Sequence, residues 1–483
     1  MTRSIEITSI DDNLTPLLRQ TEKDEIEERR KVDCIIEFKE TNGQDTSGSQ
    51  TKKCVNQIFD KIFKDLNNSS IKSCTIFKVN VGLRESNSAA YTPKMVSIGP
   101  YHKNEPQLVS MEKYKLLYLQ RFLQRNKSLD VESCISELEK LKEDAIKCYD
   151  DIEDVDTDEF CKMLLLDGCF VVEFIRDRCQ LWEGEEEIFN SNIGCIQNQI
   201  LRDLMLLENQ LPFFILNKLH HMTREDDELS LAVQAILPST FFVELQEMTF
   251  ELFIEAEYNV GNIKHLLHAV HMFACHGNPV KESNKNIKWH KSMPNATELS
   301  EAGVSFAKVR NHFNSNKDNN TDMKSLFDIK FENGLMTIPC FQVEDETETL
   351  LRNLIAFEQQ SYDMQPKYFS DFAVFMDYLI DSDKDVNLLR RKGIIENCMG
   401  EDKDVSTLFN KIANGVTIYP TFYYNEECIK AYQHCDKTLN RVMANLMRNY
   451  FSSPWVGAST VAAIILLILT TIQTILAFTG SVK

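Results

Sequence analysis

Three largely apolar segments each contain a carboxylate that could do chemistry: Asp167 in LLLDGCFVVEF, Glu208 in LLENQLPFFIL and Glu358 in NLIAFEQQ. A buried carboxylate must be paired, hydrogen-bonded or protonated, and two that face one cleft could act as acid and base. The alternative is a structural network in which neighbouring amides satisfy the carboxylates. We favour this network and predict no catalytic residues. Its members would be Asp167, Glu208, Asn209, Gln210, Glu358 and Gln359.

The segment HLLHAVHMFACH, residues 265–276, could bind a metal. On a helix, His268, His271 and Cys275 fall within an arc of about 60°, so they could present three ligands to one ion. A partly buried helix with hydrogen-bonded imidazoles explains the same pattern. Because no fourth ligand is evident, we predict no metal and no cofactor, and keep these three residues as candidates only.

Two acidic clusters imitate calcium-binding loops. An EF-hand needs glycine at the sixth position of its loop. In DIEDVDTDE a loop that starts at Asp154 has Glu159 there, and in DSDKDVNLLRRK a loop that starts at Asp381 has Val386 there. Carboxylates at a helix N-terminus cap free N–H groups and complement the helix dipole. We therefore interpret both clusters as helix starts.

Charge and missing motifs narrow the function further. The 483 residues include 53 Lys plus Arg against 73 Asp plus Glu, a formal net charge of −20. This charge repels phosphates and disfavours nucleic-acid binding. The sequence contains no P-loop, G-x-G-x-x-G, G-x-S-x-G or H-E-x-x-H motif, which removes the most recognisable nucleotide-binding and hydrolase classes.

A mainly α-helical body must position these residues. Apolar residues at helical spacing predict helices near 111–124, 160–175, 201–219, 260–274, 346–360, 368–380 and 425–449. Strands are predicted at TIFKVNV and at LFDIKF and LMTIP, and the last two flank the hairpin signal Asn333-Gly334. We predict an irregular multi-helix globule with one small antiparallel β-hairpin element.

The C-terminus is the clearest feature of the chain. The stretch between Val456 and Phe478 is uncharged and would span about 35 Å as a helix, enough to cross the hydrocarbon core. Lys437, Arg441 and Arg448 precede it, so the excess of positive charge predicts a cytosolic body. We predict a single-pass span in the plasma membrane or an endomembrane.

The chain divides into three predicted parts. Residues 1–55 are polar and read as a flexible, coil-rich extension, 56–450 as the α-rich body, and 451–483 as the transmembrane anchor with a short tail. Ala458 and Ala462 have the small-xxx-small spacing that lets membrane helices approach, so self-association is an alternative use of the anchor.

Seven ordered segments between about residues 56 and 478 also resemble the plant family called domain of unknown function 247, the UPF0481-type membrane proteins. They are AYTPKMVSIGPYHKNEPQLVSMEKYKLLYLQRFLQR, LLLDGCFVVEF, DLMLLENQLPFFILNKL, ATELSEAGVSF, DIKFENGLMTIPCFQVEDETETLLRNLIAFEQ, KGIIENCMG and NYFSSPW with the span behind it. The resemblance implies a plant protein with an uncharacterised α-rich body, a C-terminal span and no established catalytic residues. Some grass members are implicated in pollen self-incompatibility as recognition determinants.

These observations predict a non-enzymatic, membrane-anchored recognition or signalling protein. Its expected partners are the lipid bilayer and an unidentified protein, and no nucleic acid. A membrane-tethered enzyme that uses the buried carboxylates, or an oligomeric membrane scaffold, is the alternative. A receptor for a secreted ligand would face outward, against the cytosolic orientation that the basic flank predicts.

Overall fold

The computed structural model describes residues 74–150, 152, 156–182, 196–225, 228–236, 260–275, 278, 293–309, 325–419, 421–451 and 454–480. All of them belong to one compact unit, Ile71–Lys483. The expected extension over residues 1–55 and the first part of the expected body lie outside the described residues.

The described residues form seventeen α-helices, so the chain is mainly helical, as predicted. The helices are α1 Val81–Arg84, α2 Glu112–Arg125, α3 Val131–Glu139, α4 Lys142–Lys147, α5 Thr157–Trp182, α6 Gln197–Leu204, α7 Phe213–Thr223, α8 Leu231–Ile236, α9 Leu266–Ala274, α10 Ala296–Glu301, α11 Thr347–Gln360, α12 Tyr368–Leu379, α13 Asp383–Arg391, α14 Asp402–Ile412, α15 Asn425–Asp436, α16 Thr438–Tyr450 and α17 Pro454–Gly480.

Helix α5 lies at the centre of the N-terminal half. It packs against α2, α3, α7 and α8, and its apolar residues from Phe160 to Ile175 are buried on nearly all sides. Gly168 allows α7 to approach closely, because a Cβ atom there would lie 2.3 Å from Leu219 Cδ1.

Five short strands form two small sheets. They are β1 Ser305–Lys308, β2 Lys330–Glu332, β3 Leu335–Ile338, β4 Phe341–Val343 and β5 Ile395–Asn397. Strands β2 and β3 form the predicted antiparallel hairpin, and its turn residues Asn333 and Gly334 have φ values of 50° and 82°. The sequence did not reveal the parallel pairs, β1 with β3 and β4 with β5.

Local patterns misjudged three details. The TIFKVNV strand is wrong, because Ile76 forms only an isolated bridge with Tyr149. The helix predicted over 201–219 is two helices, α6 and α7, since Pro212 has no N–H for helical bonding and disfavours a helical residue before it. The helix predicted over 425–449 breaks at Lys437, whose ψ of 136° is extended.

Candidate functional site

Asp167 forms an ion pair in the core. Its Oδ1 accepts a hydrogen bond from Lys115 Nζ at 2.6 Å, and its Oδ2 accepts one from Gly99 N at 2.9 Å. Lys115 also donates to Ser97 O at 2.7 Å. Although burial acts to lower the pKa of Lys115, the Asp167 carboxylate raises it above its ordinary value. Burial raises the pKa of Asp167, whereas Lys115 and the Gly99 amide act to lower it. The 2.6 Å contact between the two side chains is that of an ion pair, and it ties α2 and α5 to the segment that contains Gly99.

Glu208 lies in a different network. Its Oε1 accepts hydrogen bonds from Val79 N at 2.6 Å and from the Arg84 guanidinium, and its Oε2 lies 3.3 Å from His102 Nε2. Burial acts to raise the pKa of Glu208, but His102, Arg84 and the Val79 amide together hold it below its ordinary value. This carboxylate is ionised and fixes the chain around α1.

Glu358 caps the N-terminus of α12. Its Oε1 accepts from Phe369 N at 2.9 Å, and its Oε2 accepts from Ser370 N and Ser370 Oγ, each at 2.8 Å. His271 Nε2 lies 2.8 Å from Oε1. The free N–H groups at a helix start favour a negative charge, so Glu358 supplies in trans what a local cap would supply.

The three carboxylates share no hydrogen-bond partner among the described residues, and each is buried. Each one bonds to backbone amides and to a cationic or imidazole side chain of its own. Such an arrangement positions backbone segments, whereas acid–base catalysis by a pair needs two carboxylates that face one accessible space.

The neighbouring amides bind backbone groups instead of the carboxylates. Asn209 Oδ1 accepts from Ile98 N at 2.7 Å, and its Nδ2 donates to Val96 O and Asp203 O at 3.0 Å each. Asn209 therefore joins α6 to the extended segment before Gly99.

The two glutamines act in the same way. Gln210 Nε2 donates to Leu204 O at 2.6 Å, and its Oε1 accepts from Leu267 N at 3.2 Å. Gln359 accepts from Thr417 N at 3.0 Å and donates to Thr417 O at 3.3 Å. Each glutamine side chain therefore bonds to backbone N–H and C=O groups that have no partner in a regular helix or sheet.

Sequence reasoning missed two buried members of this framework. Asp203 accepts hydrogen bonds from the successive amides of Lys94, Met95 and Val96. Asn353 donates to Ala90 O at 2.8 Å and accepts from Leu207 N at 2.9 Å. The only local signal was a single polar residue on an otherwise apolar face of a helix.

The structure changes the candidate metal ligands. Ligand atoms of His271, Cys275 and Glu358 lie within 4.8 Å of one another, and Cys275 Sγ is 3.8 Å from His271 Nε2. His268 does not join them, because its Nδ1 accepts a hydrogen bond from Lys264 N at 3.0 Å at the start of α9. Glu358 takes the place that helical spacing assigned to His268.

The chemistry of this cluster disfavours a bound ion. Burial raises the pKa of the Cys275 thiol well above its ordinary value, and the nearby Glu358 charge adds to the effect. Both Glu358 oxygens already accept backbone N–H groups. A metal would have to deprotonate the thiol and separate His271 from Glu358.

An open cavity of about 380 Å³ lies between the β2–β3 hairpin and α15. Most of its lining residues are of polar type, and no member of the predicted network lines it. The lining residues are Phe331, Glu332, Asn333, Gly334, Lys430, Gln433, His434 and Lys437. No sequence pattern indicated this surface.

Helix α17 contains the predicted span. Its segment Trp455–Ala477 is long and apolar enough to cross a membrane, and its large apolar side chains are exposed. A helix with an apolar surface on all sides is stable in a bilayer or in a protein core. The exposure distinguishes α17 from the buried helix α5.

Comparisons with known proteins cover most of the chain. A model of a plant family, described as plant protein of unknown function, matches residues 76–469. A UPF0481 protein of Arabidopsis thaliana is 27% identical over 446 residues, which cover 85% of this chain and 88% of the relative. A putative UPF0481 protein of the same plant is 24% identical over 489 residues, 83% of this chain and 89% of the relative. No solved structure matches the chain.

Proposed function

This chain belongs to the DUF247 family of plant proteins of unknown function, and we propose that it is a single-pass membrane protein whose helical body recognises another protein. The observation that carries this proposal is α17, an exposed apolar helix at the C-terminal end of a well-packed body. A bilayer removes that apolar surface from water, at a gain of about 25 cal/mol per Å².

The orientation follows from charge. Lys437, Arg441 and Arg448 precede the helix, and Lys483 is the only charged residue after it. Because cytosolic flanks carry the excess of Lys and Arg, the body faces the cytosol. The bilayer is then the plasma membrane or an endomembrane.

The buried carboxylates support recognition over catalysis. Asp167, Glu208 and Glu358 are each bonded to their own backbone amides. The competing function, a membrane-tethered enzyme, needs at least two of them to reach a common substrate.

The open cavity beside the hairpin is the surface we assign to the protein partner. It combines an aromatic ring, Phe331, with polar side chains such as Gln433 and His434. This lining suits a partner side chain that is partly apolar and can also form hydrogen bonds. Gln433→Trp would fill the cavity, and Lys127→Trp, on the exposed turn after α2, is the matched control.

The test is cross-linking of the full chain in plant membranes. We expect wild type and Lys127→Trp to capture the same specific protein and Gln433→Trp to lose it. Equal capture by all three variants would contradict the assigned surface, and recovery of bulk membrane proteins alone would contradict recognition.

Topology is tested separately, by protease protection of intact membranes that carry the chain with a tag at each end. We expect the N-terminal tag to be digested and the C-terminal tag to be protected. The reverse result, with glycans on Asn-x-Ser/Thr sites of the body such as Asn126 and Asn295, would contradict the cytosolic orientation. It would favour the outward-facing recognition role in which some grass members of the family are implicated.

A scaffold is the remaining alternative. Ala458 and Ala462 are both exposed on α17, where they could bring two helices together. If the chain is a scaffold, Ala458→Leu with Ala462→Leu abolishes its self-association in membranes. If it is a single-chain recognition protein, the double variant leaves cross-linking to the partner unchanged.

A further inference from the structure

Helix α16 exposes the apolar face that most helices bury. Its apolar residues recur at i, i+3, i+4, i+7, i+8 and i+11, which places them in one stripe. All six are exposed, from 83% at Leu439 down to 41% at Met447. The stripe consists of Leu439, Val442, Met443, Leu446, Met447 and Tyr450.

The body holds α16 by a different side. Asn440 and Ala444 are its two half-buried residues, and the helix packs against α10. Asn440 Nδ2 donates a hydrogen bond to His434 O at 2.8 Å, which fixes the helix to the end of α15. The body contact therefore leaves the stripe facing outward.

The stripe continues into the span. Phe451 and Trp455 follow Tyr450, and both are exposed, Trp455 at 84%. Helix α17 begins at Pro454, so the link after Tyr450 is a few residues that reach at most about 15 Å. Aromatic side chains of this kind prefer the headgroup region. Once α17 spans the bilayer, α16 is confined to the bilayer surface.

The charges of α16 indicate which kind of membrane surface the helix would bind. The chain has a net charge of −20, yet Asp436 is its last acidic residue. The segment from Lys437 onward carries only positive charges, including Arg441 and Arg448 of α16. These two arginines are seven residues apart and lie on the helix side opposite the stripe, as in helices that bind anionic membranes.

We propose that α16 lies in the headgroup region of an anionic bilayer, with its stripe buried among the acyl chains, and holds the body against the membrane. The inference rests on the proposed membrane span of α17. Exposed basic residues near such a surface are attracted to its anionic headgroups. The occupant is therefore lipid, and a second copy of the chain is the competing outcome.

The experiment uses the full chain in vesicles of brominated phosphatidylcholine and phosphatidylserine, because bromine quenches tryptophan at acyl-chain depth. Met443→Trp reports the stripe, and Asn445→Trp is its matched control on the polar side of α16. Leu467→Trp, near the middle of α17, reports the span. We expect quenching of the added fluorescence to be several-fold greater for Met443→Trp than for Asn445→Trp, and weaker when phosphatidylserine is omitted.

The outcomes separate the two proposals. Quenched Leu467→Trp with equal, weak quenching of Met443→Trp and Asn445→Trp would overturn the α16 inference and leave the span in place. An unquenched Leu467→Trp would overturn the span itself. An unquenched Met443→Trp together with a cross-linked dimer that Leu446→Asn disperses would assign the stripe to a second copy. Equal quenching without phosphatidylserine would overturn the preference for anionic lipid.

Discussion

His271 Nε2 lies 2.8 Å from Glu358 Oε1, and this contact joins α9 to the carboxylate that caps α12. The same two residues belong to the one cluster with metal-ligand spacing in the described part of the chain. A metal would have to displace a contact that holds two helices in place. We therefore assign the cluster to the packing of α9, α11 and α12.

The first prediction is that the chain binds no stoichiometric zinc. Both Glu358 oxygens accept backbone N–H groups, and burial keeps Cys275 as a thiol. Full chain purified without chelators should contain far less than one zinc per molecule by elemental analysis. One zinc per chain that Cys275→Ser removes and His268→Asn retains would establish the metal site and contradict the packing role.

The second prediction concerns the buried pair Lys115–Asp167. Lys115→Met leaves Asp167 without its cation, so unfolding free energy should fall by about 3–5 kcal/mol. The double variant Lys115→Met with Asp167→Leu should lose less than the single one, because no unpaired charge is left behind. The midpoint of urea unfolding measures both.

The matched control is Lys162→Met, which breaks the exposed pair with Glu159. Exposed ion pairs contribute about 0–1 kcal/mol, so this variant should unfold near the wild-type midpoint. Equal losses in Lys115→Met and Lys162→Met would show that burial of Lys115 does not determine the effect.

The third prediction is that Asp371 weakens the fold as the pH rises. Burial raises the pKa of Asp371 to about 7, and nearby Glu358 adds to the effect. The folded state keeps a proton that the unfolded chain releases near about pH 4, so this group's contribution to stability is present below that pH and lost as the pH rises to about 7. The slope approaches about 1.4 kcal/mol per pH unit.

Asp371→Asn isolates this contribution. The amide oxygen can still accept the hydrogen bond from Tyr423 N, now 2.8 Å from Asp371 Oδ2. The variant should gain stability relative to wild type as the pH rises, in urea unfolding at a series of pH values. Parallel pH profiles of the two proteins would contradict the raised pKa.

His268 provides the fourth prediction, with the opposite sign. Burial lowers the pKa of His268 to about 3, and the neighbouring His271 and Lys264 charges add to the effect. An unfolded imidazole takes up its proton near about pH 6.5. The stabilising contribution is therefore present above that pH and lost as the pH falls toward about 3.

His268→Asn keeps an acceptor for Lys264 N and removes the titrating group. Its unfolding free energy should fall less steeply than that of wild type between about pH 6.5 and about pH 4. Acid unfolding followed by circular dichroism measures the difference. A wild-type slope that the variant reproduces would mean that His268 titrates as it does in the unfolded chain.

Local patterns predicted the elements well and the contacts poorly. Helix α5, the Asn333-Gly334 hairpin and α17 each follow from apolar spacing or a turn requirement within a few residues. The partners of Glu208 do not, because Val79 and Arg84 lie more than one hundred residues away along the chain. The stripe on α16 had the spacing of a buried helix, and its exposure depends on tertiary packing.

The last prediction compares two helical glycines. Gly168→Ala on α5 places a Cβ atom 2.3 Å from Leu219 Cδ1, so α5 and α7 must separate or Leu219 must leave its rotamer. Overpacking of this kind costs about 1–3 kcal/mol, which outweighs the gain of about 1 kcal/mol in helix propensity. Gly82→Ala on α1 is the control, because its Cβ would meet only Asn80 Oδ1, at 3.6 Å. Gly82→Ala should therefore unfold at or above the wild-type urea midpoint and Gly168→Ala below it. A Gly168→Ala midpoint that matches Gly82→Ala would mean that α7 adjusts freely and that the close helix contact does not constrain the core.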